Sequence, residues 1–164
     1  MKEITNRYLQ DIGACKDARE QFRKELNGGR SLSVSRVFTR LKQIDRMDWA
    51  NWLIVRLMTH EQQIRYAIYA AEQVISLYEE KYPEDKRPRQ AIEAARLCLD
   101  NPSEENKAAA WSAAGFAESA AEYAESAAWS AAWSAAALKK MQLKIINYGL
   151  RLIGVSAPKQ EAHP

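Results

Sequence analysis

A low-complexity segment in the second half of the chain constrains the fold more than any other feature. Sixteen of the 27 alanines among its 164 residues lie between Ala108 and Ala137. The segment repeats a seven-residue unit that ends at Ser119 and Ser126, and then repeats the four-residue unit Ala-Ala-Trp-Ser twice. Both lengths are close to whole turns of an α-helix, and alanine has the highest helix propensity. The spacing therefore predicts one long alanine-rich helix, whose small side chains let a neighbouring helix approach closely.

The rest of the chain carries similar helical signals, separated by recognisable breaks. Apolar residues recur at three- and four-residue spacing in six segments: 14–26, 34–44, 48–57, 60–82, 88–99 and 138–153. Ser33 and Thr59 precede two of these segments and Asp48 begins a third, and all three residues are predicted N-caps. Pro83 and Gly154 are predicted to end two of them. We therefore predict an all-α fold, a single bundle of about six or seven helices with the alanine-rich helix at its centre.

The breaks also predict a domain organisation. Residues 1–45 are expected to form an N-terminal helical subdomain, residues 46–155 the main helical bundle, and residues 156–164 a flexible tail. No apolar run is long enough to span a membrane, and the first residues lack the apolar stretch of a signal peptide. A cytoplasmic protein is expected. Cys15 and Cys98 lie far apart and are predicted to be small buried apolar side chains.

Residue patterns typical of enzymes are missing from the sequence. His60 and His163 are its two histidines, and two are too few for most histidine metal sites and leave few candidates for the base of a nucleophile–base pair. Glu118, Glu122 and Glu125 share a helical face, but no second carboxylate cluster completes a cation site. We therefore predict a binding protein without catalytic residues, cofactor or metal.

A basic stretch offers an alternative function. The net charge of +3 is too small to indicate nucleic-acid binding by itself. Positive charge is nevertheless concentrated in one stretch, which contains Arg30, Arg36, Arg40, Lys42 and Arg46. The stretch is either a solvated helix face or a patch that contacts a phosphate backbone. A nucleic-acid-binding accessory protein that uses these residues is therefore kept as an alternative.

Two parts of the chain resemble known families. The stretch Tyr82–Arg96, followed by the alanine-rich region, resembles the immunity proteins of bacterial polymorphic toxin systems. Gly13–Phe22 and Asp48–Leu53 are similar to a module of uncharacterised phage and prophage proteins. The positions that match the immunity motif are Asp85, Arg87, Pro88, Arg89, Glu93 and Arg96. These side chains either bind a partner or pair with one another and tie the loop to a helix end.

The resemblance implies a non-catalytic inhibitor that binds a bacterial protein: a toxin, a nuclease or a defence effector. Such a protein is either an immunity protein or a phage-encoded, anti-CRISPR-like antagonist of a defence nuclease, and it acts by steric occlusion. Because tryptophan and arginine dominate interface hot spots, the partner-binding candidates are Asp85, Arg87, Arg89, Arg96, Trp129 and Trp133. A homodimer through the alanine-rich helices is an alternative, and a sponge for a nucleotide or small ligand is a weaker one.

Overall fold

The computed structural model describes residues 3–26, 29–106, 108 and 135–155. These residues include a short ribbon and eight helices with defined bounds: β1 Glu3–Ile4, α1 Asn6–Asp11, α2 Lys16–Leu26, β2 Leu32–Ser33, α3 Val34–Gln43, α4 Met47–Leu57, α5 His60–Glu72, α6 Ile75–Lys81, α7 Arg87–Asp100 and α8 Ala135–Leu152. The predicted all-α fold is confirmed. No helix among the described residues is long and apolar enough to cross a membrane. Most of the alanine-rich segment, predicted to be the central helix, lies outside the described residues.

The chain divides into two compact units. Unit 1 is Met1–Met58 with Ile146–Pro164, and unit 2 is Thr59–Ile145. Helix α8 therefore contributes its first part to unit 2 and its last part to unit 1. The sequence-based division at residue 45 stays a prediction, and the expected tail at 156–164 lies outside the described residues.

The core of unit 1 is built on α3 and α4. Residues at three- and four-residue spacing bury one face of α3, including Val34 and Phe38, and Phe38 is fully shielded from solvent. Ile54 of α4 and Leu150 of α8 are also fully buried. The antiparallel ribbon places Ile4 opposite Leu32. Strands of two residues are too short for an alternating pattern, so the sequence did not predict them.

The turn before α2 places Cys15 differently from the sequence-based prediction. Gly13 has a φ of +78°, a conformation that favours glycine, and it precedes Cys15 in this turn. Cys15 is exposed, whereas Cys98 in α7 is buried. The prediction of a buried small apolar side chain is therefore wrong for Cys15, because its position just ahead of the helix leaves it outside the core.

Two predicted helix starts are found where the sequence places them. The Ser33 hydroxyl accepts a hydrogen bond from the Arg36 amide at 3.3 Å. The Thr59 hydroxyl accepts one from the Gln62 amide, and the Gln62 side chain accepts one from the Thr59 amide at 2.9 Å. These reciprocal bonds form the capping box that opens α5.

Replacing Thr59 by alanine is expected to destabilise the protein by about 1 kcal/mol, because the Gln62 amide loses its acceptor at the start of α5. Thermal or urea unfolding followed by circular dichroism measures this loss. Thr59→Ser keeps the acceptor oxygen and should unfold close to the wild type. Equal losses in the two variants would contradict a role for the hydroxyl.

The predicted N-cap role of Asp48 is wrong. Helix α4 begins at Met47, with Arg46 as its cap residue and no side-chain cap bond. Asp48 lies in the first turn, where a negative charge suits the helix dipole. It accepts two hydrogen bonds from the Arg46 guanidinium, at 2.9 and 2.6 Å, and these bonds hold the pKa of Asp48 below its usual value.

Unit 2 contains one helix break that the sequence pattern did not predict. The expected helix over residues 60–82 is divided into α5 and α6. The Gln73 amide donates to the Ala70 carbonyl, and the Val74 amide donates to the Ala71 carbonyl. These bonds span three residues instead of four, so the last turn of α5 tightens and the helix ends without glycine or proline.

The core of unit 2 lies where α5 packs against α7. Tyr66 of α5 is buried, and this burial raises its pKa to about 12. Ala91, Ile92 and Cys98 are the buried side chains of α7. Pro88 occupies the first turn of that helix, as predicted, because this position needs no amide donor.

Candidate functional site

The immunity-motif residues lie in unit 2, in the connection from α6 to α7 and along α7. Asp85 is the polar centre of the connection. Its carboxylate accepts hydrogen bonds from the Tyr78 hydroxyl at 2.7 Å and from the Arg87 backbone amide at 3.0 Å. It also accepts two from the Arg87 guanidinium, at 2.8 and 2.5 Å. Asp85 therefore joins the end of α6 to the start of α7.

These hydrogen bonds make the contribution of Asp85 to the stability of the fold depend on pH. The Arg87 guanidinium, and after it the Tyr78 hydroxyl, holds the pKa of Asp85 well below the ordinary value of 3.8. A carboxyl group with a lowered folded-state pKa stabilises the fold above its unfolded pKa. This contribution is lost as the pH falls through the folded-state pKa.

We expect Asp85→Asn to be less stable than the wild type at neutral pH, since it removes the charge that Arg87 pairs with. The difference in unfolding free energy should shrink as the pH falls below about 4, because Asp85 of the unfolded chain takes up a proton there while the folded carboxylate stays charged. Urea titrations at several pH values measure this difference. Glu84→Gln removes a neighbouring exposed charge and is the control. A difference that stays constant down to about pH 2 would contradict the assignment.

The other two motif arginines connect α7 to the preceding helices. The Arg89 guanidinium donates two hydrogen bonds to Glu79 of α6, both at 2.6 Å. Arg96 donates to Glu72 of α5. Both guanidiniums thus bond to carboxylates of other helices, and Glu93 within α7 adds a weaker attraction to each of them. Arg89 holds the pKa of Glu79 below its usual value. Exposed pairs of this kind add little stability because water competes for the charges, but they fix the side-chain positions.

One face of α7 is exposed along its length, and we name it the α7 outer face. Its six exposed residues are Arg89, Gln90, Glu93, Arg96, Leu97 and Asp100. The side chain of Leu97 is 59% exposed, more than any other large apolar side chain among the described residues. Sequence reasoning missed Leu97. The available signal was an apolar residue at a position where the helical pattern calls for a polar one.

Three members of the basic stretch have partners inside unit 1. The Arg40 Nε lies 2.8 Å from a Glu25 carboxylate oxygen. Lys42 donates to the side chain of Asn147 at 2.6 Å, and partial burial lowers its pKa. Arg46 pairs with Asp48 as described above. Arg30 and Arg36 are exposed. The nucleic-acid alternative stays a prediction, with fewer available cations than the sequence suggested.

The remaining candidates divide into two groups. Trp129 and Trp133 lie outside the described residues, as do Glu118, Glu122 and Glu125. Across ranges 3–26, 29–106 and 135–155, no group of three or more His, Cys, Asp or Glu side chains could hold a metal ion. The described candidate site is therefore a surface made of arginines, carboxylates and one exposed leucine.

The comparison with protein families decides the class of the chain. A model of the Imm-5 like putative immunity protein family matches residues 53–163, about two thirds of the sequence. The chain belongs to this family. No curated protein and no solved structure matches it.

The match of this immunity-family chain covers α5, α6 and α7, and with them the α7 outer face and every matched motif residue. The segment Gly13–Phe22 lies outside the match. The family description implies an inhibitor that binds a partner toxin, and such proteins are generally not catalytic. The resemblance drawn from Tyr82–Arg96 is therefore confirmed.

Proposed function

We propose that this chain is an immunity protein that binds one bacterial toxin and inhibits it by covering its active surface. The family match over residues 53–163 carries the proposal. A toxin is the target that the family description favours over a CRISPR effector. Because the net charge is slightly positive, the inhibitor does not imitate nucleic acid. Steric occlusion is the mechanism that fits a non-catalytic helical protein.

The α7 outer face is the surface that we assign to the toxin. Leu97 lies one turn from both Glu93 and Asp100 and beside Arg96, so charges of both signs surround an apolar centre. This matches the usual anatomy of an interface, with an apolar centre and a polar rim. The ion pairs of Arg89 and Arg96 hold their side chains in place before the partner arrives, which reduces the entropy lost on binding.

A capture experiment followed by a protection assay tests the function. The tagged full chain is incubated with lysate of its bacterial host, washed at moderate salt with and without nuclease, and its partners are identified by mass spectrometry. We expect one stoichiometric protein that survives nuclease treatment, and growth inhibition by that protein should be relieved when the chain is co-expressed. Captured protein that is harmless, or toxicity that persists, would overturn the proposal.

The same experiment separates the alternatives. Recovery that collapses with nuclease or rising salt would favour nucleic-acid binding through Arg30 and Arg36, because phosphate contacts weaken steeply with ionic strength. Recovery of the bait alone would favour self-association, which sedimentation of the purified chain detects directly.

A further inference from the structure

Unit 1 contains a cavity of about 370 Å³, lined by residues of α2, α3 and α4 and by the segments around them. Its apolar wall includes Phe22, Leu41 and Leu53, all buried. The exposed residues Gly13 and Cys15 also line it, so solvent reaches the cavity. A volume of this size lies within the range of small-molecule sites, which are mostly apolar with a few polar groups.

The charged side chains of the cavity are paired with opposite charges. Glu25 accepts a hydrogen bond from the Gln21 amide at 2.8 Å, and the same carboxylate faces the Arg40 guanidinium at 2.8 Å. Asp48, the other acidic residue of the lining, is paired with Arg46. The charges of the lining are therefore balanced locally. A charged ligand would lose its hydration without gaining an ion pair, so the cavity favours an uncharged ligand.

Two tryptophans give the cavity an aromatic wall. Trp49 and Trp52 both line it and are half-buried. The Arg46 guanidinium stacks on the Trp49 ring at 3.4 Å, and that of Arg56 stacks on the Trp52 ring at 3.8 Å. A stacked guanidinium restrains the indole on which it lies. Restrained aromatic walls suit a ligand that is itself a ring, because two flat faces then meet at a small entropy cost.

We propose that this cavity binds a small, uncharged, largely apolar molecule that carries two or three aromatic rings. A cavity of roughly 150 Å³ holds one benzene, so the cavity of unit 1 has room for a larger ring system. Sixteen of the 17 lining residues precede residue 53, where the family match begins. All but one of the lining residues therefore lie in the part of the chain that the immunity family does not cover, and none of them belongs to the α7 outer face.

The probe for the test is N-phenyl-1-naphthylamine, an uncharged aromatic dye that fluoresces in apolar surroundings. Titration of the full chain should give saturable emission with one site. The dye should also raise Tm by about 5 °C or more at a concentration near 100 times its Kd. Ala18→Phe places a ring in the cavity and should weaken dye binding about tenfold or more. Ala67→Phe makes the same change at an exposed position of α5 and should bind the dye like the wild type.

Two results would overturn the proposal: emission that does not saturate, and Ala18→Phe that binds the dye as tightly as Ala67→Phe. A second measurement covers the case in which Ala18→Phe fails to fold. In the Cys98→Ala background, bound dye should slow the reaction of Cys15 with a thiol reagent severalfold, because Cys15 lines the cavity. An unchanged reaction rate at saturating dye would also overturn the proposal.

Discussion

Replacing Phe38 by alanine is expected to lower the free energy of unfolding by about 3–5 kcal/mol. Phe38 has no solvent exposure and lies on the buried face of α3. Its removal takes away a complete aromatic ring, and the helices around it cannot fully close the space. Urea unfolding followed by circular dichroism at 222 nm measures the loss. Dye binding to unit 1 should fall in parallel, since α3 also lines the cavity.

Two controls make this result specific. Phe38→Leu keeps most of the buried volume and should cost clearly less than the alanine variant. Arg36→Ala changes an exposed residue of the same helix and should stay within about 0.5 kcal/mol of the wild type. If Phe38→Ala were as stable as Arg36→Ala, the assigned core of unit 1 would be incorrect.

Replacing Leu97 by glutamate is expected to weaken toxin binding about 30-fold or more while the protein stays folded. The substitution puts a charge at the apolar centre of the α7 outer face, and residues at interface centres carry most of the binding energy. Because Leu97 is 59% exposed, the core of unit 2 loses little. Calorimetric titration with the captured toxin measures the affinity, and survival on co-expression measures protection.

Leu77→Glu is the matched control, because Leu77 is an exposed leucine of α6 that lies outside the α7 outer face. It should bind toxin like the wild type. Wild-type affinity in Leu97→Glu would exclude the α7 outer face as the interface and leave the inhibitor class intact. Failure of the capture experiment itself would reject the proposal that the chain is a toxin inhibitor. The proposed function and the proposed binding surface are therefore tested by different results.

Local features of the fold were readable from the sequence because each depends on residues close together in the chain. Thr59 and Gln62 are three residues apart, and Ser33 bonds to the amide of Arg36 at the same spacing. The prediction failed at Asp48, where the helix starts two residues earlier and the carboxylate pairs with Arg46 instead. A cap and a first-turn acid look alike in sequence, since both are acidic residues ahead of an apolar run.

The candidate site depends on longer-range pairings, which the sequence did not reveal. Arg89 pairs with Glu79, ten residues away, and Arg96 pairs with Glu72, 24 residues away. The second pairing requires α7 to pack against α5, and the first requires the start of α7 to lie near α6. The break between α5 and α6 that allows this carries no glycine or proline signal. The motif could be located from sequence, but the partners of its arginines follow from tertiary structure.

The order of synthesis matters for a unit that is discontinuous in sequence. Unit 1 needs Ile146 and Leu150 to complete its core, and these residues are made long after α3 and α4. While the ribosome translates the intervening residues, the core of unit 1 lacks these two apolar side chains. A nascent chain stalled before residue 146 therefore exposes apolar helix surface that chaperones and proteases recognise. We therefore expect incomplete chains to be degraded faster than finished ones before any partner is met.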